Sequence, residues 1–182
     1  VFLKDEKKKH LVEKLDALHI PVVSFHTNFD AGVGGMNDAL AEALGLIDIA
    51  PLQGDTMARG GRLKTPMAIQ DFAKHALLSL EVPYGLLLDY GKEIIEKVAI
   101  VGGGGSSTWK IAQEEGYDIY LSGDISHHTR RDIVIHQYNY LDLPHEVERI
   151  FMKRMESILH HIDPELQIKT VDHEWCPTVV SL

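Results

Sequence analysis

At 182 residues and 45% hydrophobic composition, the chain can build one full core or two small intertwined lobes, and it reads as a globular α/β protein. A net charge of -9 argues against a nucleic-acid groove or an anionic membrane face, since both need a basic surface to displace counterions from phosphates. The single cysteine, Cys176, excludes an internal disulfide and fits a reducing compartment.

No apolar run approaches the ~20 residues of a membrane span, and the opening residues carry no signal-like apolar segment, so the cytoplasm is the expected location. In chain order, Leu11, Val12, Leu15 and Leu18 recur at helical spacing and predict a helix over residues 3–18. Its lysines, Lys4 and Lys7 to Lys9, alternate with Asp5 and Glu6 as on a solvated helix face, with a phosphate patch as the competing reading. The run Ile20-Pro21-Val22-Val23-Ser24-Phe25 predicts a buried strand over 21–25. A helix leading into a strand is the second half of an α/β unit, so an earlier strand is expected upstream of residue 1.

A helix over 36–44 ends at Gly45, a residue suited to the left-handed position after a helix. Gly54, Gly60 and Gly61 predict a mobile loop over 53–64, which is also the candidate boundary between lobes. Thr65-Pro66 supplies an N-cap and a proline for the next helix, and Ala68, Phe72, Ala76 and Leu80 follow at helical spacing. Residues 84–88 and 97–101 predict strands, the second ending in Gly102-Gly103-Gly104-Gly105-Ser106-Ser107. Strand 117–121, helix 125–137, strand 138–141 and helix 144–161 come next, and 166–171 predicts a last strand before His173, Glu174, Trp175 and Cys176. Alternation with short connections is the pattern of a mainly parallel sheet covered by helices.

The pentad His26-Thr27-Asn28-Phe29-Asp30 would place a ligating imidazole or carboxylate and its hydrogen-bonding neighbour together at the end of the strand over 21–25. A turn in which Asn28 or Asp30 binds backbone amides is the competing reading. His145 and Glu148, three apart, share one helix face and can reach one divalent ion; alternatively, Glu146 and Glu148 favour the dipole of a solvated first turn. The four glycines match neither G-x-G-x-x-G nor G-x-x-x-x-G-K-[ST], and a tight strand-to-helix turn competes there with a phosphate cradle. After Ser122-Gly123, Asp124 is expected to cap a helix on which His127 and His128 point to different faces. Cys176 near His173 lacks a positioned base and reads as packing.

In this order, His26-Thr27-Asn28-x-Asp30, Gly34-Gly35-Met36-Asn37-Asp38-Ala39-Leu40-Ala41, the glycine turn, Ser122-Gly123-Asp124 and His145-x-x-Glu148 resemble the Nif-three-like family. Members of that family are often labelled type 2 GTP cyclohydrolase I. The resemblance implies a two-lobed α/β unit, a ring-shaped homohexamer, and two divalent metal ions per subunit in the complete protein, zinc, iron or manganese. It assigns Asp30, His145 and Glu148 as metal ligands and puts His26 beside the metals as a catalytic proton carrier or substrate contact. The family's His-His-Pro ligand motif is absent here, and His127-His128 does not replace it because no proline follows.

The expected function is therefore a divalent-metal-dependent hydrolase acting on a nucleotide, GTP by the family label, or a similar phosphorylated small molecule, with a metal-activated water as nucleophile. Two other classes stand beside it. One is a non-catalytic metal-binding or adaptor protein that forms a ring-shaped oligomer; the other is a nucleotide-binding module built on the glycine turn. No nucleic-acid or membrane partner is expected.

Overall fold

A computed structural model describes residues 4–172 and 175–180. Helix α1 (Glu6–Ala17) is capped by Asp5, whose carboxylate accepts hydrogen bonds from the amides of Lys7 and Lys8 at 3.0 and 3.3 Å. None of its residues is buried, so the lysine cluster lies on a solvated face. After it the chain departs from expectation. Residues 21–25 form no strand, and Val22 and Val23 are 72% and 75% exposed. An apolar run becomes a strand only where a neighbour completes its backbone ladder, and no described residue pairs with this one. Residues 166–171 likewise form no strand and join no described sheet.

The pentad folds as a single helical turn, α2 (Thr27–Asp30), and α3 (Met36–Ala43) follows, with Gly45 at φ 73° just beyond its end. Strands β1 (Ile47–Pro51) and β2 (Arg59–Ala68), helix α4 (Ile69–Ser79), and strands β3 (Leu86–Asp89) and β4 (Ile94–Ile100) come next. Then a 3-10 turn (Ser106–Thr108), α5 (Trp109–Glu114), β5 (Ile119–Gly123), α6 (His127–Ile135), β6 (Asn139–Leu143), a second 3-10 turn (His145–Arg149) and α7 (Ile150–Ile162) complete the described elements.

All the described strands join one sheet in the order β1-β2-β4-β5-β6-β3. Its α/β character is as expected, but its pairing is mixed rather than mainly parallel. Helical crossovers α5 and α6 make β4, β5 and β6 parallel, whereas β1–β2, β2–β4 and β3–β6 are antiparallel. Residues 53–64 are not one loop, because β2 starts at Arg59. Gly60 and Gly61 serve close approach in the sheet: a Cβ on Gly60 would overlap the Tyr117 phenol, and one on Gly61 would meet Leu46 and the Ile47 carbonyl at 3.0 Å. Nor does Thr65-Pro66 start a helix. Strand β2 runs on to Ala68, its register shifting between Arg62 and Met67, and Pro66, which has no N–H for the ladder, sits within that irregular stretch.

Side chains alternate across the sheet and fill a core on each face. Val98, Ile100, Ile119, Leu121, Leu141 and Leu143 pack against α3 and α4. Ala99, Val101, Tyr120 and Tyr140 turn the other way, onto Trp109 and Ala112 of α5 and Ile133 of α6. The parallel strands are buried on both faces, and their carboxyl ends lie side by side along one edge.

Candidate functional site

Three turns leave that edge together: glycines 102 to 105 after β4, Asp124 after β5, and the His145–Arg149 turn after β6. Backbone bonds stitch the first two, with Val101 N–H donating to the Leu121 carbonyl (3.0 Å) and Gly123 N–H to the Gly103 carbonyl (2.7 Å). The wholly buried Asn37 of α3 ties the glycine turn down from the side. Its Oδ1 accepts from Gly102 N–H (2.8 Å), while its Nδ2 donates to the Met57 carbonyl (3.0 Å).

His145 Nδ1 donates to Asp124 Oδ2 at 2.6 Å, and its Nε2 lies 3.6 Å from Glu148 Oε2. The Asp124 hydrogen bond raises the imidazole pKa above its usual range; partial burial opposes this, and the charges of Glu148, Asp124 and Glu146 add to it. Asp124 stands at φ 56°, a left-handed conformation that aspartate tolerates better than most residues. It does not cap α6, as its spacing suggests; Ser126 does, accepting from Thr129 N–H at 3.1 Å. Gly103 has a specific role. At φ 64° it lies beneath the pair, where a Cβ would overlap a Glu148 carboxylate oxygen and crowd His145 Cε1 at 3.2 Å. The turn thus seats His145 and Glu148.

Helix α2 forms the facing wall. Asn28 Oδ1 accepts from the amide of His26, two residues before it, at 2.9 Å, so Asn28 does bind a backbone amide, at the start of the helical turn that carries Asp30. Burial raises the Asp30 pKa, and the nearby His26 charge pulls it back. His26, Asp30, His145 and Glu148 line one cleft of about 940 Å³, walled by apolar groups that include Phe29, Phe151 and Met155. Among the described residues that line it there is no lysine or arginine.

Nitrogen and carboxylate oxygen donors facing one space, without a protein cation among them, match a divalent metal ion in chemical kind. Among the described residues, however, no three His, Cys, Asp or Glu side chains stand close enough together to form a ligand cluster by themselves. His127 and His128 lie on α6 and do not line the cleft. Cys176 sits 3.5 Å from Arg149 Nη2, and His173 and Glu174 lie outside the described residues. Sequence spacing missed Asn37, Asp124 as a partner of His145, and the buried Arg59. Only the short interval from Ser122-Gly123-Asp124 to His145, two adjacent strand ends apart, carried a signal for any of them.

Known proteins share both sequence and fold with this chain. It is 30% identical over 169 residues, 91% of the chain, to a Lactococcus lactis protein named GTP cyclohydrolase 1 type 2 homolog. It is 31% identical over 147 residues, 77% of the chain, to a Streptococcus pneumoniae protein of the same name. These matches span 65% and 56% of those relatives' own lengths. A Bacillus cereus protein related to NIF3 superposes with a TM-score of 0.78 at 19% identity, covering 100% of this chain and 79% of that one. The profile of one family matches residues 2–177, nearly end to end, and the chain belongs to it: the Duf34/NIF3 (NGG1p interacting factor 3) family.

Proposed function

We propose that the cleft is the metal-dependent hydrolytic centre of a protein of the type 2 GTP cyclohydrolase I kind, with Asp30, His145 and Glu148 as this chain's ligands and His26 as its proton carrier. The observation that supports it most is that these four side chains, drawn from stretches more than a hundred positions apart, line one cleft at the carboxyl edge of the parallel strands. The names of the relatives support the reaction class, and ligands beyond these three would complete the set.

A divalent ion held there supplies Lewis-acid polarisation of the substrate and acidifies water. The protein's own groups do the rest. Asp124 takes the Nδ1 proton of His145 in a hydrogen bond, which fixes the ring and directs Nε2 toward Glu148 and the cleft. Partial burial leaves Asp30 short of solvation, so its carboxylate gains from a cation opposite it. His26 stands at the α2 end of the cleft, where an imidazole can accept a proton from water and return it to a leaving nitrogen. Phe29, Phe151 and Met155 offer an apolar wall for a flat ring. A nucleotide substrate and a ring-shaped homohexamer belong to the same proposal.

The test is turnover of a nucleotide panel, GTP included, by purified protein loaded with zinc, iron or manganese. Asp30→Ala and Glu148→Ala are expected to lower activity by about 100-fold or more while leaving the melting transition cooperative. Full turnover with stoichiometric metal in either variant would remove these residues from the ligand set. Metal uptake without turnover in the wild-type protein would point instead to the binding or adaptor reading.

A further inference from the structure

Arg59, the first residue of β2, is 1% exposed, and the hydrolytic scheme above does not use it. A guanidinium withdrawn from water must have its donors satisfied, and here they are spent on one short stretch of chain and its support. Nη2 donates to the carbonyls of Ala31 and Gly32 at 2.8 and 3.3 Å, the two residues that follow Asp30. Nη1 donates to Thr56 O at 2.8 Å and to Met57 and Ala58 O at 3.3 Å each, in the loop that also lines the cleft. Nε donates to the Asp38 carboxylate, whose second oxygen accepts from Gly34 N–H at 2.5 Å. Thus one side chain grips residues 31 and 32 directly and residue 34 through Asp38, all from the rigid sheet.

We propose that Arg59, paired with Asp38, is a positioning residue that holds α2 so that Asp30 faces His145 and Glu148 across the cleft. The fold of the stretch shows why such a clamp is needed. Helix α2 is one turn long, too short to hold itself together. Between it and α3 the chain doubles back so closely that a Cβ on Gly35 would overlap the Phe29 carbonyl. Apart from the clamp, the backbone bonds Ala31 N–H to Thr27 O (3.0 Å) and Gly35 N–H to Gly32 O (2.9 Å) are internal to the segment, and the bond from Ala39 N–H to the Gly35 carbonyl (3.0 Å) joins only its far end to α3. The planar fork of arginine reaches carbonyls and carboxylate at once, which the point charge of lysine does not.

The inference rests on the metal reading for what Asp30 does, and on geometry alone for what Arg59 does. The experiment therefore has two readouts on the whole protein, for Arg59→Lys and for the milder Asp38→Asn, which keeps an acceptor but loses the charge. The first is amide hydrogen exchange over residues 27–35. The second is Mn(II) affinity by calorimetric titration. The expected result for a cooperatively folded variant is exchange at least about tenfold faster at residues 29–35, with β4 and β5 unchanged, and Mn(II) affinity weaker by about tenfold or more. Unchanged exchange in that segment, or unchanged Mn(II) affinity, in a folded variant overturns the proposal. Wild-type protein that takes no Mn(II) overturns the metal reading alone, and exchange then decides whether Arg59 holds α2.

Discussion

Gly103 shows how one residue can carry a site without contributing a functional atom. Its left-handed φ and bare Cα leave the space in which the Glu148 carboxylate and the His145 ring sit. Gly103→Ala adds a methyl group where those side chains are and strains the backbone by roughly 1–2 kcal/mol. The expected outcome is a stable protein whose divalent-metal affinity, measured by titration, falls by about 10- to 100-fold. Wild-type affinity in that variant would mean that the pair is not held against the turn. The neighbouring Gly102 and Gly104 have ordinary φ, so the residue string alone could not say which glycine of the four matters or for what. Position in the sequence did flag His145 and Glu148, because three-residue spacing forces them onto one face whether the turn is α or 3-10.

At the scale of elements, periodicity was readable wherever an element packs against the sheet. Phe72 and Ala76 recur along α4 and are fully buried beneath it. Phe72→Ala should cost about 3–5 kcal/mol in chemical denaturation, the transfer and cavity terms of a ring removed from a closed core; a loss below about 1 kcal/mol would mean that α4 is not seated as described. The helix starts three residues later than its Thr-Pro signal places it, because β2 continues until Ala68 has paired with Ile94. Strand pairing outweighs a local cap when the backbone donors and acceptors of the segment already have partners. The reverse error occurs at residues 21–25, where apolar composition promised a strand that pairing does not supply. Helix 144–161 divides at Arg149 into a 3-10 turn and α7. His145 and Glu148 stand on that tighter turn, with Asp124 and Gly103 against them.

Across the whole molecule the two ends of the parallel strands do different work. At the amino edge Asp118, 4% exposed in its side chain, accepts from the amides of Glu96 and Lys97 at 2.9 and 2.8 Å and from Lys92 at 2.5 Å. Asn139 continues the network, donating to the carbonyls of Lys92 and Asp118 and accepting from Gly91 N–H. Burial pushes the Asp118 carboxyl upward, but these donors outweigh it and hold the pKa below its ordinary value. A folded pKa below the unfolded one contributes stability that is present above about pH 4 and is lost as pH falls through the folded value. Denaturation midpoints should therefore drop between pH 5 and pH 3 in the wild type. Asp118→Asn, less stable near neutrality, should show a shallower drop, and an equal slope in both proteins would dissociate Asp118 from acid sensitivity. The cleft opens at the carboxyl edge, and among the described residues that line it there is no lysine or arginine.

The amino-acid sequence by itself determined the α/β class, most of the longer helices, the positions of the central strands and the family resemblance, because apolar period and short-range spacing are local properties of the chain. It also singled out His26, Asp30, His145 and Glu148 as residues to watch. Only the tertiary structure decided that the sheet is mixed, that Gly60 and Gly61 lie in a strand, that Asp124 holds His145 rather than capping a helix, and that Arg59 reaches back to Ala31. Each of those depends on which segments become neighbours, and neighbours are set by the pairing of backbone groups and the closure of the core, which no window along the chain contains.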